Sequence, residues 1–205
     1  MKKNKSSKNW IIRQHRDQYF KQAKSSGFRS RSAYKLLELN KKFKFFKNCR
    51  TVIDLGSYPG GWSQILKKNL KNCNILSVDV KKMEKIDGVD FLRCDFQKSG
   101  SKEKILKKLN SKADLLVSDM AADTTGNKDL DCIRTNALCA EVIEFSSLVI
   151  KESGVVIAKL FNGKDFLDVK DLAQKKFHKV NFFKPDSSRD FSKETYIHCA
   201  GIRTL

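Results

Sequence analysis

Residues 51–62 read TVIDLGSYPGGW, and the fold turns on them. β-formers lead into Asp54 and Leu55, which puts a strand here. Gly56 ends the run, Ser57, Tyr58 and Pro59 follow, and then comes the pair Gly60-Gly61. Beyond it the apolar residues Trp62, Ile65, Leu66 and Leu70 fall at helical spacing. The stretch is a strand, a glycine turn and a helix. Glycine belongs where the backbone takes a positive φ or lies close to a ligand. The free N–H groups of a helix that starts behind such a turn face a polar ligand.

The spacing of the glycines bears on which ligand. A dinucleotide turn reads G-x-G-x-x-G, but the residue two after Gly56 is Tyr58. No Lys-Ser/Thr pair follows, which excludes a Walker phosphate loop. A pyrophosphate would lack its close backbone approach, whereas S-adenosylmethionine carries no phosphate and suits the turn better. The next strand, residues 74–80, reaches Asp79 about where an acid takes the hydroxyl pair of an adenosine ribose. The plainer alternative is a strand-turn-helix without a ligand.

Outward from this turn, strands are expected at 51–55, 74–80, 90–95, 114–119 and 154–160, and helices near 62–70, 101–109, 131–150 and 164–177. Apolar strands alternating with amphipathic helices imply a parallel sheet covered on both faces. The tail differs: 179–184 and 195–201 are two strands joined by a turn-rich loop, an antiparallel addition at the sheet edge. Before the turn, residues 1–8 read as a disordered basic arm, 9–26 as a basic amphipathic helix and 30–43 as a second helix.

The chain has 205 residues and a net charge of +19. Residues 1–50 hold 16 of the 42 Lys+Arg against two of the 23 Asp+Glu, a net +14. Trp10, Tyr19, Phe20, Phe28 and Tyr34 are interleaved there. Clustered cations with aromatics are the footprint of a nucleic-acid binder. No apolar run reaches membrane-spanning length, and the start has no apolar core of a secretory signal. The six cysteines show no C-x-x-C pair and no zinc spacing, so buried thiols in a reducing, cytoplasmic setting are expected and no metal site is.

In open α/β sheets ligands sit beyond the carboxyl ends of the strands. There the sequence puts Asp54, Asp79, Asp95 and Asp119, and Lys159 inside VVIAKLF. Any one of these acids could serve as a helix cap or a solvated loop residue. Lysine is rarely buried without a partner, so Lys159 requires a carboxylate or a function; an ion pair with Asp119 is the plainer reading.

FRSRSAYKLLELN, DLGSYPGGWSQ, GVDFLRCDF, SDMA, KLFNG and KPDSSRDFSKETYIHCAG together resemble the blocks of the FtsJ/RrmJ family of ribose 2′-O-methyltransferases. The resemblance covers about residues 9–201. It implies a Rossmann-like adenosylmethionine-dependent methyltransferase fold, a mostly parallel seven-stranded sheet with an antiparallel last strand. It divides the chain into a basic arm and helix over 1–28 and a methyltransferase domain over 29–205. A catalytic Lys-Asp-Lys-Glu tetrad then falls on Lys35, Asp119, Lys159 and Glu194. Cofactor contacts fall on the turn, Gly56, Gly60, Gly61 and Trp62, and on Asp79, Asp95 and Asp119. The implied substrate is a uridine of large-subunit ribosomal RNA, on the assembled subunit, methylated by a cytoplasmic monomer. A tRNA anticodon-loop methyltransferase and an inactive RNA-binding assembly factor are the alternatives. The family's usual AAPGG is Ser57-Tyr58-Pro59-Gly60-Gly61 here, and Ala122 stands where a proline follows SDMA. Lys159 is the candidate base, which needs it neutral: burial and Lys35 would lower its pKa, Asp119 and Glu194 would raise it.

Overall fold

The computed structural model describes residues 17–203, so the arm over 1–8 and the first half of the helix expected at 9–26 lie outside the described residues. Helices α1 (Gln18–Ser25) and α2 (Ser32–Phe43) precede strand β1 (Thr51–Leu55). Then come α3 (Gly61–Asn69), β2 (Asn74–Asp79), β3 (Asp90–Arg93), α4 (Ser101–Lys108) and β4 (Ala113–Ser118). The chain closes with α5 (Lys128–Val149), β5 (Ile150–Phe161), α6 (Phe166–Lys176), β6 (Phe177–Phe183) and β7 (Glu194–Ile202). The strands form one seven-stranded sheet in the order β3-β2-β1-β4-β5-β7-β6. The first five are parallel; β7 runs antiparallel to both β5 and β6.

Two boundaries differ instructively from the sequence reading. Helix α5 starts three residues early, because the Asn127 side chain accepts from the N–H groups of Asp129 and Leu130 and caps a polar first turn that carries no apolar period. Of the two tail strands, only β6 is an edge. The last strand inserts between β5 and β6, since its first six residues, 194–199, are all buried whereas β6 is largely half-exposed.

Side chains alternate across a strand, and the sheet separates two cores. Ile53, Leu55, Val156, Ala158 and Leu160 pack with α4, α5 and α6. Val52, Val117, Ile157 and Tyr196 pack with Ala33, Leu36 and Leu39 of α2 and with Trp62, Ile65 and Leu66 of α3. Truncating a fully buried leucine such as Leu36 costs about 2–5 kcal/mol. Helix α2 also carries Lys35 over this second face.

The register aligns the strand ends. Leu55 pairs with Val78 and with Ser118, and Ser118 with Ala158. The next residues, Asp79, Gly56, Asp119 and Lys159, therefore form one row across the carboxyl edge, and Tyr196 pairs directly with Lys159. No helix among the described residues is long and apolar enough to cross a membrane. Five of the six free cysteines are buried and Cys94 is half-buried.

Candidate active site

The glycine turn is pinned from three sides. The N–H groups of Gly56 and Ser57 both donate to the Val78 carbonyl oxygen, at 2.9 and 3.2 Å. Gly56 has φ +74°, and a Cβ there would lie 2.5 Å from Met120 Cγ, so the turn and the loop after β4 close onto each other only without a side chain. Gly60, φ +107°, is covered by Arg29 and Met83, and a Cβ on Gly61 would run into Ser30 Oγ. Arg29 donates to the carbonyl oxygens of Pro59, Glu84 and Lys85 at 3.3, 2.7 and 2.9 Å, tying the turn to the loop after β2.

Between the turn and the loops after β2, β3 and β4 lies a cavity of about 560 Å³. Its wall includes Gly56, Tyr58, Asp79, Asp95, Asp119 and Met120. Of the residues expected to hold a cofactor, the structure thus gathers Gly56, Asp79, Asp95 and Asp119 around one space. Gly60, Gly61 and Trp62 are not in that wall. Trp62 is buried, donates its indole N–H to the Ser32 carbonyl oxygen at 2.8 Å and lies against Tyr196, with ring centroids 5.8 Å apart. Asp79 accepts from the N–H groups of Tyr58 at 2.9 Å and Lys81 at 2.8 Å, one on each oxygen. A carboxylate offers about four acceptor positions, so both oxygens keep capacity for a ligand's hydroxyls.

The volume lies in the range of small-molecule sites, which run about 300–1,000 Å³. Bare backbone at Gly56 and acids at two strand ends match an adenosine and its ribose, so the residues present fit S-adenosylmethionine. Behind the turn, Asp54 is fully buried with Oδ1 unpartnered, and Ser57 Oγ is likewise buried without a partner. Ser63 Oγ donates to Asp54 Oδ2 at 2.6 Å. Burial pushes the Asp54 carboxyl up to about 7 against that hydrogen bond, with the charges of Asp119 and Asp79 adding to the rise.

Beside the cavity the four residues of the expected tetrad converge. Lys159 and Tyr196 are cross-strand partners, Glu194 is two residues from Tyr196, and Asp119 is two from Val117, so all project toward α2. Lys159, 9% exposed, stands 2.6 Å from Asp119 Oδ1 and 3.5 Å from Glu194 Oε2, and donates to the Asp119 carbonyl oxygen at 3.0 Å. Lys35 reaches both oxygens of Glu194, 2.6 Å from Oε1 and 2.8 Å from Oε2. Burial works against the Lys159 ammonium, but Asp119 and Glu194 outweigh it and raise its pKa above the ordinary 10.5. Burial likewise opposes the Glu194 carboxylate, yet Lys159 and Lys35 bring it down to about 2. Lys159 is therefore a cation in the free protein, the point the sequence left open.

Sequence reasoning missed two members of this cluster. Tyr196, fully buried, donates to Asp119 Oδ1 at 2.6 Å; its position two after Glu194 was the signal that they share a face. Ser188 donates to Glu194 Oε1 at 2.7 Å from the loop before β7. The charge count also needs revision. Arg29 serves three carbonyls, Arg31 pairs with Asp17 and donates to the Ser187 carbonyl oxygen, and Lys35 serves Glu194, so part of the basic N-terminal quarter is structural.

This fold and site define a Rossmann-like methyltransferase. The chain superposes with a TM-score of 0.76 on a crystal structure described as a ribosomal RNA methyltransferase from Plasmodium falciparum, at 30% identity over 85% of this chain and 98% of that one. The family model for FtsJ-like methyltransferases matches residues 28–202, and the chain belongs to that family. It is similar to the Ribosomal RNA large subunit methyltransferase E of Pelagibacter ubique, at 46% identity over 99% of this chain and 100% of the relative. The protein of the same name from Rickettsia akari is 45% identical, over 96% of this chain and 89% of the relative.

Proposed function

We propose that the protein transfers a methyl group from S-adenosylmethionine to the ribose 2′ oxygen of a uridine in large-subunit ribosomal RNA, working as a cytoplasmic monomer on the assembled subunit. The single observation that carries the reading is the Lys35–Glu194–Lys159–Asp119 cluster at the edge of a cavity fit for adenosine. The names and near full-length coverage of the relatives support the RNA class.

The cofactor supplies an electrophilic methyl on a sulfonium sulfur. Asp79 and Asp95 bind its ribose and adenine end, while Gly60, Gly61 and Trp62 shape the turn from behind. Lys35 and Glu194 orient the incoming ribose, and Asp119 stands between cavity and lysine. A ribose hydroxyl is a weak nucleophile until its proton is polarised or removed. Lys159 enters as a cation, so it accepts that proton only after losing one of its own to solvent. Lys159 would then hold the 2′ proton as the ribose oxygen takes the methyl group that the cofactor would supply. Holding oxygen, methyl and sulfur in line contributes as much as the proton transfer.

Mapping ribose methylation in total RNA with and without the gene tests this. One large-subunit uridine should lose its methyl group, and purified protein should restore it on assembled subunits. Loss at a tRNA anticodon loop instead, or no loss anywhere, contradicts the reading.

A further inference from the structure

We propose that Phe191 is a stacking platform for an unpaired base of the RNA substrate. This rests on the RNA methyltransferase reading above. All 14 phenylalanines lie within the described residues, and Phe191 alone is exposed, at 74%. It is also the most exposed large hydrophobic residue described.

Its backbone, by contrast, is braced. Lys184 Nζ donates to the carbonyl oxygens of Asp190 and Ser192, at 3.1 and 2.8 Å, the residues on either side of Phe191. Ser192 N–H donates to the Arg189 carbonyl oxygen at 2.9 Å, and the Lys193 carbonyl oxygen accepts from Asn162 at 2.8 Å, which ties the loop to the end of β5. A rigid loop that presents a bare aromatic ring to solvent gains nothing in folding from that ring.

The position limits the ring's use. Phe191 lies three residues before Glu194, so the chain holds it within about 10 Å of the tetrad. It lies outside the cavity wall, so it does not serve the cofactor. Besides Lys184, which braces it, the loop carries Lys193 and Arg189, the latter 3.6 Å from Asp17, against Asp186 and Asp190, on a protein of net charge +19. A polyanion with unpaired aromatic bases satisfies both the charge and the exposed ring, and RNA is read chiefly through such splayed bases.

The test compares Phe191→Ala, Phe191→Leu and Phe191→Trp in the full chain. Stacking on an aromatic side chain is worth enough to change affinity roughly 5–150-fold. Phe191→Ala should lower kcat/KM for ribosomal RNA by a factor in that range, mostly through KM, with melting temperature and adenosylmethionine affinity unchanged. Phe191→Trp should stay within about threefold of the parent, and Phe191→Leu should behave as Ala. A second readout uses a single-stranded RNA oligonucleotide carrying 2-aminopurine, whose fluorescence should be quenched by the parent and by Trp but not by Ala or Leu. Equal kcat/KM and equal quenching in parent and Ala overturn the proposal. So does rescue by Leu, which marks a generic apolar contact such as a protein partner. If the parent methylates no RNA, the functional reading falls, and the quenching series alone decides the platform.

Discussion

The sheet's carboxyl edge has two halves that use the same residue type differently. On the cofactor half, Asp79 meets only backbone N–H donors, from Tyr58 and Lys81, and faces an open cavity. On the other half, Asp119 and Glu194 are matched by Lys159 and Lys35; Glu194 is buried, and Asp119 is half-buried at the cavity's edge. An acid held by neutral donors keeps its charge and spare lone pairs for a ligand. An acid held by ammonium groups has its charge cancelled and instead fixes those lysines in place. In the function proposed above, the cofactor half serves binding and the tetrad half serves positioning and proton movement.

Breaking the tetrad half should have the largest effect. Glu194→Gln leaves Lys35 without its carboxylate and Lys159 with Asp119 alone, and breaking a buried pair in this way typically destabilises by about 3–5 kcal/mol. Methyl transfer should fall by roughly 10²-fold, as for misplacement of the reacting groups. Affinity for adenosylmethionine should change little, and titration calorimetry on the folded fraction checks that separation. A matching loss of cofactor affinity would mean that the two halves are not independent.

Asp79→Ala should do the reverse, with a smaller magnitude. Two backbone donors lose a charged acceptor, and each such hydrogen bond is worth about 1.5–3 kcal/mol. Adenosylmethionine should bind roughly 10–100-fold more weakly, while single-turnover transfer at saturating cofactor stays near the parent's. Unchanged affinity would remove Asp79 from the binding site.

The smallest expected effect is on stability against pH. Asp54 titrates near 7 in the fold instead of 3.8, so it binds its proton more tightly folded than unfolded. Its contribution favours folding at low pH and is lost as pH rises from about 4 through 7. Glu194, at about 2 instead of 4.5, has the opposite sign: its contribution is full above 4.5 and is lost as pH falls toward 2. Urea midpoints of Asp54→Asn should therefore fall less than the parent's between pH 5 and pH 8. Parallel curves would show that Asp54 does not carry the neutral-side loss.

Much of this was legible in the sequence. The glycine turn, the strand-end acids and Lys159 in an apolar strand pointed to a parallel sheet with a site at its carboxyl edge. The resemblance to the FtsJ-family blocks singled out Lys35, Asp119, Lys159 and Glu194 before their convergence could be seen. What stayed hidden depends on register and packing. The order of the last two strands is decided by pairing at a distance: β7 pairs with both β5 and β6, which puts it between them. Arg29 and Arg31 looked like RNA-binding charge because a sequence does not reveal which carbonyls a guanidinium will reach. Trp62 looked like part of a cofactor rim, yet its indole N–H finds a partner under α2.

The central claim is that Lys159 takes part in the chemical step and is not only a structural partner of Asp119. Single-turnover methyl transfer by Lys159→Ala and Lys159→Arg, followed across pH 6.5 to 9, tests it most directly. A raised pKa leaves neutral lysine scarce at pH 7.5, so the parent's rate should climb about tenfold per pH unit if Lys159 is the base. Lys159→Ala should be slower by roughly 10²–10⁴-fold, and Lys159→Arg, which keeps the charge but cannot deprotonate, should be equally slow. Recovery of much of the rate in Lys159→Arg, with a flat pH profile, would reduce the role to electrostatic. Near-parental transfer by a folded Lys159→Ala protein would contradict the account.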